Sequence, residues 1–466
     1  MSMIKAKKVS KPSRLPSTLS VKTEDIIMGV NAGLNPGKPI INWFQGAPAS
    51  KAAVCIKDGK AVAAECDASI RFGGEYSDNS AKDLLVVDYK GTGGGVYVEG
   101  GASKVTVDNA VMALHGSGTG VCSPAVGLAV TQHGDLTANN VVIDTAGKSR
   151  FCSVAEKFST LRVNNSVLYA HGEPFGEGYA PAAGLMQTPP PPLEIGGNCR
   201  THCSMSNSYT YFNKCKIICD GWGALSTEVA EGFVYLEAND CDVIATKKGY
   251  GAYADPDCHD VFNNCRFDVD GMAGIIAGEG DMTFNNCVSK CATYFVLSHN
   301  VCGVPEEVSS LFVNGGSIVT GKDVVLVKSE NTQLEFDAVE ITAGNKVLVR
   351  TIKNDDPCAT VPSATPYGVN VVFKNMNLEG DLLHEDPERG MWISMAAVTY
   401  RGAILNGNLA LDQASKWTAT ADSTVTLIAD VYPAQLDALK GVTITAFGAE
   451  AGSYDLPSGG KLVVKA

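Results

Sequence analysis

The sequence predicts an all-β chain wound as a solenoid of stacked coils, and three observations carry that expectation. A short phrase recurs along the chain: alternating apolar residues, an Asn-rich pair, a small residue or Cys, then another apolar residue. The stretches between copies, such as KDVVLVKS, NKVLVRTI and ATYFVLSH, are short, β-branched and punctuated by turn residues, which are strand signals. Composition agrees: among 466 residues, 49 Gly, 20 Pro and only 19% charged side chains argue against a helical bundle. The 45% hydrophobic content supplies a core and excludes global disorder.

The phrase appears as TVDNAVM at Asp108, TANNVVI at Asn139, RVNNSVL at Asn164 and YFNKCKI at Asn213. It continues as EANDCDV at Asn239, VFNNCRF at Asn263 and TFNNCVS at Asn285, with weaker copies at Asn314, Asp337 and Lys374. The closest copies are 22 to 26 residues apart, and the wider gaps read as the same unit carrying an insertion. A leucine-rich repeat of similar period needs a Leu ladder and a helical return, and neither is visible. Each unit therefore reads as one coil of about three short strands, paired in parallel with its neighbours. Asn suits the corner between strands because it tolerates left-handed backbone. Its amide can also bond to the Asn of the coils above and below, at a spacing of about 4.8 Å.

Cys215, Cys241, Cys265 and Cys287 share one phase just after the Asn pair, so a stacked interior column of reduced thiols is expected. A disulfide between neighbouring coils and a metal role are weaker readings of the same column. Fifteen Cys in a chain with no visible secretory leader point to a cytoplasmic setting, or to secretion if a leader has been removed. No apolar run is long enough for a transmembrane helix. The formal charge of −13 argues against nucleic acid as a partner.

The NNC-type corners resemble those of the right-handed parallel β-helix superfamily, the pectate-lyase-like solenoids. That resemblance spans roughly residues 80 to 412 and implies a right-handed parallel β-helix. It does not choose among the polysaccharide lyases, glycoside hydrolases, epimerases, esterases, adhesins and phage spikes that share the fold. Polygalacturonase-type hydrolases carry Asn-Thr-Asp, Asp-Asp and Gly-His-Gly motifs. The first and last are missing here, and Asp355-Asp356 falls in a loop insertion. Pectate lyases use an Arg base with calcium held by several Asp; Arg350 is a positional counterpart without the accompanying motif.

The expected plan is an N-terminal tail and cap over 1–80, a β-helix over 81–412 and a small C-terminal β-rich cap over 413–466. Its basic start (Lys5, Lys7, Lys8, Lys11, Arg14) reads as a solvated tail, and VYPAQLDALKG as a short helix-like interruption of the C-terminal cap. Two insertion loops, 170–207 with its four consecutive prolines and 353–368, are expected to wall a groove.

Polar groups end an otherwise apolar strand 13 to 17 residues after most corners: Glu156, Glu228, Asp255, Glu279, His299, Lys328 and Arg350. Tyr253 shares a face with Asp255, two positions on. Stacked in register, these groups would form one outer column, about 5 Å apart, where carboxylates and cations shift one another's pKa. The catalytic candidates are Tyr253, Asp255, Glu228, His299, Lys328 and Arg350. Glu156, Glu279 and Tyr179, in the first loop, are the substrate-binding candidates. An Asp, Glu or Tyr would remove a proton beside a carbonyl, His299 or Tyr253 would return one, and Lys328 or Arg350 would hold the oxyanion.

Three other groupings are weaker. Asp255, Asp257, His259 and Asp260 match no defined cation loop. Cys199, His202 and Cys203 lack the second ligand pair of a zinc site; as a nucleophile pair Cys and His could meet, but a loop Cys more often packs quietly. GTGGGVYVEGG lacks the Lys and helix of a phosphate loop and reads as a tight turn. The expectation is a lyase, isomerase or epimerase needing no metal or other cofactor. Its substrate would be a carbohydrate-like or carbonyl-bearing small molecule or oligosaccharide. A glycoside hydrolase and a non-catalytic carbohydrate-binding or adhesin-like solenoid are the alternatives.

Overall fold

The computed structural model describes residues 3–7, 49–89, 91–120, 122–172, 199–228, 232–299, 308–354 and 367–465. The chain is an all-β parallel β-helix in which a typical coil carries one strand in each of three sheets. One coil runs Cys258–Asn263 in the first sheet, Arg266–Val269 in the second and Met272–Ala277 in the third. The next coil repeats this as Asp281–Asn285, Val288–Cys291 and Val296–His299, each strand parallel to its predecessor and in register.

The Asn corners stack as the pattern predicts. Asn139 donates its side-chain amide to Asp108 at 2.8 Å, and Asn164, Asn213, Asn239, Asn263, Asn285 and Asn314 each donate to the preceding member at 2.8–3.0 Å. The following residue takes the left-handed conformation, with φ near 54° at Asn140, 52° at Asp240 and 55° at Asn264. Asn and Asp accept that backbone at small cost, which explains why the phrase spends its second position on them. One residue further on, Cys215, Cys241, Cys265 and Cys287 are buried free thiols, several bonded to backbone carbonyls of neighbouring coils. Every described cysteine is free.

First-sheet strands alternate buried and half-buried side chains, as a face lining a core must. Phe262 and Phe284 stack at 4.9 Å inside the coil, with Phe267 and Phe295 closing around them. Each such ring contributes about 1.5–3 kcal/mol by leaving water. The interior is not wholly apolar. His202 is buried between the hydroxyls of Ser153 and Ser204, at 2.9 and 2.7 Å, and burial lowers its pKa to about 3, so it is neutral. Asp260 also points inward: Thr227 donates to it at 2.9 Å, and burial pushes its carboxyl well above the usual range despite that bond.

At the start of the stack Ala52–Lys57 is already a third-sheet strand, parallel to Gly94–Glu99. An antiparallel pair, Arg71–Tyr76 with Ser80–Asp88, lies over that end. Parallel pairing continues through Lys416–Ala419, Leu436–Ala438 and Lys461–Val464, and antiparallel Gly452–Asp455 closes the far edge. The VYPAQLDALKG segment forms one 3-10 turn, Pro433–Gln435, followed directly by strand. Ile4 bridges Val431 with backbone bonds of 2.9 and 3.0 Å, so the first described residues sit against the C-terminal coils. No described helix is long and apolar enough to cross a membrane.

Candidate functional site

The sequence-predicted column lies on the outer side of the third sheet. Thr227 pairs with Ala254, which sets Glu228 beside Asp255, and His299 pairs with Lys328. Ala277 separates the two pairs, and Met205 separates Glu228 from Glu156. Glu228 and Lys328 are thus four coil steps apart, roughly 19 Å at about 4.8 Å per step. Tyr253 and Arg350 share the neighbouring row with three coils between them, and Arg350 is bound to Asp323 and Glu385, both at 2.8 Å. Glu279 occupies the turn after Met272–Ala277 and is half-buried. Tyr179, most of the 170–207 loop, most of the 353–368 loop and Asp355-Asp356 lie outside the described residues.

This face is covered. Glu228, His299 and Lys328 are 5%, 2% and 2% exposed, and Glu156, at 9%, takes the Thr131 hydroxyl at 3.0 Å. Arg200 reaches Glu228 at 2.5 Å while lying over the Trp222 ring. Burial works against the Arg200 cation, but the Glu228 carboxylate overrides it and holds the guanidinium pKa above its ordinary value. Burial lifts Glu228 above the usual carboxylate range, with Arg200 pulling the other way. The arrangement is that of a packed surface with an internal ion pair.

The smaller groupings are divided between the two faces of their strands. Cys199 and His202 face the interior, whereas Cys203 belongs to the apolar cluster outside the third sheet. Asp260 is interior and His259 exterior, where the latter pairs with Asp281. Among the described residues no group of three or more His, Cys, Asp or Glu is arranged to hold a metal ion.

A different constellation sits on the outer side of the second sheet. His115, Ala146, His171, Asp220 and Thr246 occupy one register row over five successive coils. Asp144, two residues before Ala146, reaches sideways to both rings: His115 Nε2 at 2.8 Å and His171 Nε2 at 3.3 Å. His171 Nδ1 meets Asp220 at 2.9 Å. A carboxylate therefore faces each ring nitrogen of His171. Burial alone would raise Asp220, but Thr246, His171, Lys247 and Tyr169 all donate to it and hold its pKa at about 2. Among the described residues His115 is engaged through Nε2, with Tyr89 against its ring at 4.9 Å.

Unlike the third-sheet column, this line meets water: the side chains of His115, Asp144 and His171 are between a third and two-fifths exposed. The strand carrying His171 ends at Gly172, from which the long insertion departs. Sequence reasoning missed these residues, although a signal was present. His115, His171 and Asp220 each stand six positions after the left-handed residue of their corner, 109 to 115, 165 to 171 and 214 to 220, and Asp144 four after Asn140. Comparison with protein families, with characterised proteins and with solved structures finds no match to this chain.

Proposed function

We propose that the chain is an acid–base enzyme, a lyase or isomerase, acting on a carbohydrate-like or carbonyl-bearing small molecule at the His115–Asp144–His171 line. The observation that supports this is the placement of Asp144. Its carboxylate accepts the Nε2 proton of His115 and so leaves Nδ1 as the basic nitrogen, the arrangement of a base oriented by a third group. His115 would take a proton from the carbon beside a carbonyl. His171, held between Asp144 and Asp220 two coils away in the same row, would border the bound carbonyl group. Return of the proton to the neighbouring carbon is isomerisation; departure of a β-substituent is elimination.

Glycoside hydrolysis fits less well, because it needs one carboxyl held protonated as the acid. Asp220 is pulled the opposite way. Kinship with the pectate-lyase-like solenoids belongs to the same proposal and rests on the Asn corners alone.

The test is turnover, and deuterium uptake from heavy water, on a panel of uronides, polyols and keto compounds. His115→Gln and Asp144→Asn should each lower turnover by about 10²–10⁴-fold. Added imidazole should partly rescue His115→Gln but not Asp144→Asn. Substitution of Lys328 by Met should leave turnover of the folded protein unchanged. Activity that survives His115→Gln would falsify the assignment.

A further inference from the structure

The outer side of the first sheet carries a feature that the acid–base reading does not use. Five rings make a continuous patch over three coils. Tyr209, Tyr235 and His259 follow one another in a single register row, and Tyr211 lies in the adjacent row. Phe233, just before the strand Val234–Asn239, joins them: its ring centroid is 6.0 Å from Tyr209, 4.6 Å from His259 and 6.5 Å from Tyr235, and nearly parallel to the last. Tyr211 completes the set at 5.9 Å from Tyr235. Tyr209 and Phe233 are each 41% exposed.

Rings this exposed are held in place by polar neighbours. The Tyr235 hydroxyl donates to Glu237 at 2.7 Å, Glu237 also accepts from the amide of Asn239 at 2.9 Å, and the Arg162 guanidinium lies over Tyr211. His259 is fixed by Asp281, and the backbone N–H of Phe233 by Asn207 at 3.2 Å. Hydrogen-bonding carboxylates and hydroxyls thus border fixed aromatic faces, one row of rings per coil step of about 4.8 Å. That combination of apolar faces and polar edges matches the two sides of a pyranose, and the step is commensurate with one sugar unit of an extended chain.

From this geometry we infer that the first sheet is a binding platform for a linear neutral oligosaccharide. It would lie across the coils with sugar faces on Phe233 and Tyr209 and hydroxyls toward Glu237. Charge selects the neutral class: the chain's formal charge is −13, and Glu237 and Asp281 border the rings, so a polyuronide would be repelled. The platform and the imidazole line lie on different sheets, so neither proposal depends on the other.

The experiment is calorimetric titration of the full chain with linear β-1,4-linked hexasaccharides of glucose, mannose and xylose, with polygalacturonate as the acidic control. At least one neutral hexasaccharide should bind with a dissociation constant at or below the millimolar range. Phe233→Ala and Tyr209→Ala should each weaken binding about tenfold or more, Phe233→Tyr should retain it, and His115→Gln should leave it unchanged. Circular dichroism should confirm that each variant keeps the wild-type strand signal. Failure of all three hexasaccharides, preferential binding of polygalacturonate, or binding indifferent to Phe233→Ala in a folded variant overturns the platform.

Discussion

The outer faces of the second and third sheets both carry carboxylates and imidazoles near their strand ends, yet they hold charge in opposite ways. On the third sheet Glu228 is buried with Arg200 as its cation, and its carboxyl is pushed up. On the second, Asp220 gathers four donors beside a half-exposed imidazole line and is held at about 2. The difference teaches that strand alternation assigns a side chain to a face but does not say whether that face meets water. Cover and donor count decide what the group can do.

The largest expected effect cuts the third-sheet pair. Arg200→Met leaves Glu228 as a buried carboxyl without its cation and should lower stability by about 3–5 kcal/mol in urea unfolding. Adding Glu228→Leu should recover most of that loss, since an apolar pair of similar volume avoids the desolvation of both ions. An equal loss in the double variant would mean the charges, and not their burial, carry the stability there.

The second-sheet counterpart is Asp220→Asn, with an expected loss of about 2 kcal/mol near pH 7. The folded pKa of Asp220 is depressed, so its contribution is full above the unfolded value of about 3.9 and disappears as pH falls toward 2. Wild type and variant should therefore converge in acid unfolding curves; a gap that persists at pH 2 would place the effect in packing.

Smallest, and opposite in sign, is the interior Asp260. Its raised pKa means that the folded state keeps a proton which the unfolded state releases, so stability declines as pH rises from about 3.9 toward the folded value. Asp260→Asn should equal wild type near pH 4 and gain on it steadily as the pH rises above that, read from urea midpoints.

The coil and its phase were legible in the sequence because the corner imposes two demands at once. Asn139 or Asn263 must offer an amide to the next coil, and Asn140 or Asn264 must accept positive φ, so few residue types satisfy the pair. Register followed, which is why the adjacency of Glu228 with Asp255 and of His299 with Lys328 could be read beforehand. Cover was not legible, because strand alternation fixes the face of Glu228, His299 and Lys328 but not their exposure of 5%, 2% and 2%. The imidazole line was overlooked for a related reason: Asp144 joins His115 to His171 diagonally, across rows, and a search along one strand-end column passes it by.

The amide ladder also makes the length of the stack adjustable in whole units. Excising residues 240–263 would leave Asn239 followed by Asn264, and all three sheets would close across the cut. Val234–Asn239 would meet Asp281–Asn285, Lys216–Asp220 would meet Arg266–Val269, and Gly223–Glu228 would meet Met272–Ala277. Asn285 would then donate to Asn239 in place of Asn263, and Cys265 would follow Cys215. The rod would shorten by one strand spacing, about 4.8 Å, with no new kind of contact required. Such a chain behaves like a measuring tape whose graduations are interchangeable.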